Sequence, residues 1–186
     1  MDEKIVLEKE TKVREMLNSV EREGMPELIK YMERKGFFTA PASTKFHGVF
    51  KGGLLIHSYN IYLQFKKHCI AYKIPFSEES MIICAFGHDL CKAGMYIEQT
   101  KNRYRWNNFN GVGHAKLSIE RLKRFIELKP EEETIIKYHM GFYGTTEFNG
   151  RGEYTLHELV EAYNNLKVAK LFYFCDDLST QFLEKN

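Results

Sequence analysis

Residues 78–92 read EESMIICAFGHDLCK, and the form this stretch takes decides the fold. Ser77 stands as an N-cap, with Glu79 and Ser80 in the first turn, so the spacing predicts a helix from Glu78 to about Lys92. The apolar run Met81–Phe86 makes that helix a central one. A His-Asp pair, His88 and Asp89, then falls at the end of an apolar element. An unpartnered carboxylate costs several kcal/mol in such a setting, so Asp89 needs a partner.

Upstream, apolar positions at helical spacing over residues 2–22 predict an amphipathic helix closed by Gly24. Pro26 opens a second helix to about Lys35, closed by Gly36. Residues 37–53, with Pro41, Gly48, Gly52 and Gly53, read as loop, and Leu54–Tyr72 as a long helix. Downstream, residues 95–110 alternate polar and aromatic side chains and predict a short hairpin turning at Lys101-Asn102. Helices follow at about 114–128, 130–141 and 155–184, the last broken near Asn164-Asn165. The pattern predicts an all-α fold: one domain over 1–186, with N-terminal helices in 1–36, a motif-bearing core in 37–184 and a small hairpin at its rim.

The bulk properties narrow the function classes. A formal net charge of +2 gives no field suited to long polyanions or membranes. No apolar run is long enough to span a bilayer. Cys69, Cys84, Cys91 and Cys175 lack CxxC spacing and sit in apolar segments, so they read as buried free thiols of a reducing compartment. With no signal-peptide pattern at the start of the chain, a cytoplasmic location is expected.

Only four of the 25 acidic residues are aspartates, Asp2, Asp89, Asp176 and Asp177. Asp176 interrupts an apolar segment, FYFCDDLS, as Asp89 does in AFGHDLCKAG. His57 (GGLLIHS), His114 (GVGHAKLS) and His139 (KYHMGFYG) fall on or beside further predicted helices. A single histidine of this kind is ordinarily a core or surface residue. The ordered series of imidazoles and carboxylates is the stronger signal, and it suits Mn, Fe, Co, Ni or Zn better than Ca or Mg.

The ordered set H…HD…H…H…D resembles the HD-domain superfamily of metal-dependent phosphohydrolases over about residues 37 to 184. The segment FFTAPASTKFHGVFKGGLLIHS looks like its branch related to 3′–5′ exoribonucleases and phage or bacterial hydrolases. The resemblance implies one metal held by His57, His88, Asp89 and Asp176, and a second held by His114 and His139 with Asp89 bridging. Alignment with the family's final aspartate favours Asp176 over Asp177. The chain departs from the common pattern at Cys91, where the family has Gly, and at Tyr138, where it often has a second His.

The expected activity is hydrolysis of a phosphate ester of a nucleotide or short oligonucleotide by metal-activated water. Asp89 is the expected bridging carboxylate. Lys92 would contact substrate phosphate, His47 would contact substrate or deliver a proton, and Lys45 would bind substrate. Arg103, in the basic-aromatic run Lys101–Trp106, would bind nucleic acid, although an ordinary exposed hairpin accounts for the same run. The same ligand set also serves mixed-valent di-iron oxygenases of this superfamily, and a non-catalytic binding module ranks after both.

Overall fold

Local capping starts several helices at their observed positions. The Asp2 carboxylate accepts from the Lys4 amide at 2.9 Å and opens α1 (Glu3–Asn18), and Pro26 sits in the first turn of α2 (Met25–Arg34). The computed structural model describes residues 2–106 and 113–184. After a loop come α3 (Gly53–Ala71) and α4 (Glu78–Gly87), the latter capped by the Ser77 hydroxyl. A 3-10 turn (Leu90–Lys92) leads to the antiparallel strands β1 (Tyr96–Thr100) and β2 (Arg103–Trp106). The helices α5 (His114–Leu122), α6 (Pro130–Tyr138), α7 (Thr146–Asn149), α8 (Leu156–Asn165) and α9 (Lys167–Leu178) complete the order, with a π turn at Ser179–Leu183.

The chain is all-α apart from this hairpin, as the sequence pattern predicts. Helix α3 packs on α1, α4 and α9, while α6 packs on α4, α5 and α9. Between them lies an apolar cluster that includes Leu54, Leu55, Ile61, Phe65, Ile82, Phe86, Ile135, Ile136 and Phe172. The ring of Phe172 meets Phe65 edge-on at 5.1 Å and His88 at 5.7 Å, so the core directly abuts the His-Asp pair. Cys69, Cys84, Cys91 and Cys175 are free and buried, and burial pushes their thiols up, Cys91 and Cys175 to about 12. No helix among the described residues is long and apolar enough to cross a membrane.

Four helices stop earlier than the sequence pattern predicts: α1 ends at Asn18, short of the expected 22, and tertiary partners explain the most consequential of the others. Helix α4 ends at Gly87 instead of continuing to Lys92. Asp89 sits at φ −110° and ψ 20°, outside helical geometry. The Cys91 amide there donates to the Ser118 hydroxyl at 3.1 Å, and the Arg121 guanidinium donates to the carbonyls of Leu90, Cys91 and Ala93 at 2.8–3.0 Å. These partners satisfy the backbone groups that a continued helix would have used. Helix α5 ends at Leu122 and α6 at Tyr138, short of the expected 128 and 141. The break between α8 and α9 lies at Leu166, beside the expected Asn164-Asn165. The hairpin turns at Lys101-Asn102 as expected, with Asn102 in the left-handed region at φ 59°. The last positions of the predicted excursion, 107–110, lie outside the described residues.

Arg22, between α1 and α2, ties the helices together. Its guanidinium meets Glu79 of α4 and both carboxylate oxygens of Glu132 of α6, the latter at 2.7 and 2.9 Å. Glu132 is fully buried and also accepts from the Ser80 hydroxyl at 2.7 Å and the Lys129 amide at 2.9 Å. Burial works to raise the Glu132 carboxyl, but Arg22 and these donors hold it below its ordinary value.

Arg22→Met strands that carboxylate and is expected to cost about 3–5 kcal/mol at neutral pH. A carboxyl lowered on folding stabilises above its unfolded value, about 4.3, and loses that contribution as pH falls through its folded value. In the variant, protonation relieves the stranded charge. Denaturant titrations at pH 7 and pH 4 should therefore show the deficit narrowing at the lower pH; a deficit that widens there contradicts this account.

Candidate metal centre

Each imidazole is delivered by a helix boundary or by the core. Gly52, at φ 87°, is the N-cap of α3, and a Cβ on Gly53 would sit 1.9 Å from the Gly48 carbonyl oxygen. This glycine pair lets the preceding loop lie on the start of α3, one turn before His57. His88 is the residue after α4, and Asp89 begins the 3-10 turn that follows. His114 opens α5, whose first-turn amides at Ala115 and Lys116 donate to the Glu153 carboxylate at 3.0 and 2.8 Å. Any side chain at Gly113 would collide with that carboxylate. His139 follows α6, and Asp176 lies in α9.

These residues converge. Asp89 Oδ2 lies 3.3 Å from His88 Nε2, 3.7 Å from His57 Nε2 and 2.5 Å from Lys92 Nζ. Asp176 Oδ1 stands 3.4 Å from His57 Nε2, and the Nε2 atoms of His57 and His88 are 3.4 Å apart. On the other side, Asp89 Oδ1 lies 3.8 Å from both His114 Nε2 and His139 Nε2, which are 3.3 Å from each other. The six residues thus form two donor groups, one on each oxygen of Asp89. Asp177 also faces the cavity, but it is Asp176 that joins His57 and His88 in a possible cation site.

The hydrogen bonds behind the rings fix their tautomers. His88 Nδ1 faces the Ala85 carbonyl at 2.9 Å, His139 Nδ1 the Ile136 carbonyl at 2.7 Å, and His57 Nδ1 the Glu184 carboxylate at 3.0 and 3.2 Å. Carbonyls and carboxylates only accept, so all three Nδ1 atoms donate. In the neutral rings the Nε2 lone pairs then point inward, and those of His57 and His88 oppose each other. A proton or a cation between them relieves that opposition. Asp89 Oδ1 is buried with no hydrogen-bond partner among the described residues. Donors about 2.1 Å from a common ion stand roughly 3.0–3.4 Å apart, so the observed spacings match a slightly open cage. Inward lone pairs, an orphaned carboxylate oxygen and these separations together fit a metal ion.

The charge balance agrees with the geometry. Burial, then the neighbouring His88, pushes His139 well below the ordinary imidazole value, and burial likewise lowers His114. For His57 burial also acts downward, but Glu184 and Asp176 outweigh it and raise the ring. Burial opposes ionisation of Asp89, yet Lys92 and the surrounding imidazoles hold it well below the carboxylate range, whereas burial raises Asp176.

The centre opens into a cavity of about 330 Å³ whose lining includes His47, Lys92, Tyr96, Trp106, Tyr143 and Thr180. The His47 ring lies tilted against His57 with centroids 4.8 Å apart, and both its ring nitrogens are buried without hydrogen-bond partners among the described residues. The Ser43 hydroxyl shapes this loop by accepting from the Phe46 and His47 amides and donating to the His47 carbonyl. Lys45 and Arg103 are exposed and do not line the cavity, so the structure does not bring these two expected substrate contacts to the site. From the hairpin, Tyr96 and Trp106 line it instead, with ring centroids 4.7 Å apart. His68 is half-buried near Cys175, while His157 is exposed. The sequence reading missed Glu184 and Glu153, whose partners lie 127 and 38 residues away, and no local pattern marks either. No protein-family model, curated protein or solved structure matches this chain.

A saturating divalent transition metal at about 100 times its Kd should stabilise the fold by about 2.7 kcal/mol. For a chain of this size that raises Tm by about 5–11 °C. Thermal melts with Co²⁺, then with excess chelator, should show the rise and its reversal, and His88→Ala should abolish it. A rise of equal size in His88→Ala would place metal binding elsewhere.

Proposed function

We propose that this chain is a metal-dependent phosphohydrolase of the HD type, acting on the phosphate ester of a nucleotide or short oligonucleotide. The observation that carries this reading is the division of the Asp89 carboxylate, with His57 and His88 on one oxygen and His114 and His139 on the other, while Asp176 joins the first group through His57. His57, His88, Asp89, Asp176, His114 and His139 would hold divalent ions there, which would supply an activated water near neutral pH and neutralise charge on a phosphoryl group.

The side chains around the centre have distinct parts in this reading. Asp89 holds the two groups in register. Lys92, bound to Asp89 and facing the cavity, offers its remaining N–H donors to phosphoryl oxygens. Burial, followed by His57 and Lys92, pushes His47 down to about 3, so its ring is neutral at physiological pH. Of the two roles expected from sequence, substrate contact and proton delivery, a neutral ring supports the first, a hydrogen bond to the substrate. Tyr96, Trp106, Phe46 and Tyr143 give the cavity an aromatic lining on which a base can stack. The small net charge suits a mononucleotide or short strand better than a long polymer.

Phosphate release from mono- and oligonucleotides with Mn²⁺, Co²⁺ or Ni²⁺ should fall at least about 10³-fold in Asp89→Asn, the several kcal/mol expected from breaking a bridged centre. Circular dichroism should show that variant still helical. Wild-type rates in Asp89→Asn on a substrate the protein cleaves would rule out chemistry at this centre. Iron-dependent dioxygen consumption without phosphate release would move the chain to the oxygenase class.

For recognition, Trp106→Ala should raise KM on an oligonucleotide by about 5-fold or more with kcat little changed, since one stacking contact is worth about 1–3 kcal/mol. Arg103→Ala should leave both constants near wild type. The reverse pattern would assign substrate contact to the outer face of the hairpin.

A further inference from the structure

Glu184 is buried, and among the described residues its ion-pair partner is His57. The imidazole Nδ1–H donates to its carboxylate at 3.0 and 3.2 Å, and the Asn60 amide donates to Oε1 at 3.1 Å. These two donors compensate a carboxylate withdrawn from water, the imidazole first. The other side of the same ring, Nε2, faces Asp89, Asp176 and His88. A cation at Nε2 polarises the ring and strengthens the Nδ1–H bond to Glu184, while the carboxylate makes Nε2 a better donor.

The segment that carries Glu184 is otherwise held at its start, where the Ser179 hydroxyl donates to the Cys175 carbonyl at 2.7 Å. Over Ser179–Leu183 the backbone takes a π turn, a wider winding than the α9 helix it continues. Within 179–184 only Ser179 and Glu184 are buried. Phe182 is 79% exposed and Leu183 47%, so apolar burial contributes little to anchoring the segment. Thr180 and Gln181 nevertheless form part of the cavity wall.

We infer that Glu184 is a positioning residue for the metal centre, and that through its bond to His57 metal binding and the docking of residues 179–184 against α3 are thermodynamically coupled. The inference rests on the metal reading of His57 given above. Coupling of this kind is reciprocal: whatever factor Glu184 adds to metal affinity, the metal adds to the stability of the docked segment. The wall carrying Thr180 and Gln181 is then firm only in the loaded protein, which links metal occupancy to the shape of the substrate cavity. His57 Nδ1 carries the proton given to Glu184, so Glu184 acts through the ring and is not itself a ligand.

The test uses the full chain, titrated calorimetrically with Co²⁺, and hydrogen exchange over residues 179–184 with and without the ion. In the wild type Co²⁺ should slow exchange across this segment. Glu184→Ala should weaken Co²⁺ binding about 10–100-fold, leave the stoichiometry unchanged and remove the metal-dependent protection. Glu184→Gln keeps the shape and an acceptor for Nδ1–H but loses the charge, so it should weaken binding by a smaller factor with the fold intact by circular dichroism. Were the role of Glu184 only structural, Gln would bind Co²⁺ like the wild type, and that result overturns the inference. Loss of a full equivalent of Co²⁺ in Glu184→Ala, or protection that persists in it, overturns it as well. A wild type that binds no Co²⁺ sinks the metal reading and this inference together; a wild type that binds alongside unchanged variants sinks this inference alone.

Discussion

The carboxylate of Asp89 is 3% exposed, and four imidazoles and one ammonium converge on it. Several features of the fold serve this one demand. Helix α4 stops at Gly87 so that Asp89 leaves helical geometry, and Ser118 and Arg121 of α5 take over the backbone groups that the interruption frees. Helices α3, α5, α6 and α9 each bring a donor to the same point, and the core reaches it through Phe172. Lys92 neutralises one oxygen of the carboxylate, while the other has no hydrogen-bond partner among the described residues. A charge placed this way is costly unless cations share it, and the surrounding lone pairs are aimed to hold them.

The donors alone do not fix the chemistry; the groups behind them do much of the work. Carbonyls of Ala85 and Ile136 and the carboxylate of Glu184 take the Nδ1 protons of His88, His139 and His57, which commits each Nε2 lone pair to the interior. Glu153 ties the first turn of α5 and with it His114. Two of these supports are main-chain groups three residues before the ring they orient, so helix geometry itself supplies them. The other two come from distant carboxylates, and they link the centre to segments that also shape the cavity or its surroundings.

This division explains what could be read from the sequence. The ligand candidates were legible because aspartate is rare in the chain and because Asp89 and Asp176 interrupt apolar stretches, where a carboxylate requires a reason. The hairpin turn at Lys101-Asn102 and the break before α9 were legible from local turn and helix signals. The early end of α4 was not, since Leu90–Lys92 continue a helical pattern and only Ser118 and Arg121 override it. Glu184, Glu153 and Arg22 look like ordinary charged residues of a Glu-rich helical chain; each acquires its role from a partner dozens of residues away. Lys45 and Arg103 are basic residues near the same motifs, and both are exposed and outside the cavity lining.

The central claim is that Asp89 divides two cation positions between its oxygens. Anomalous diffraction from crystals grown with Co²⁺ or Zn²⁺, recorded at the metal edge, tests it most directly. The account predicts a peak among His57, His88, Asp89 and Asp176, with a second beside His114 and His139 on the opposite oxygen of Asp89. Peaks confined to surface histidines such as His157, with Lys92 still bound to Asp89 and density for no ion between the rings, would contradict it.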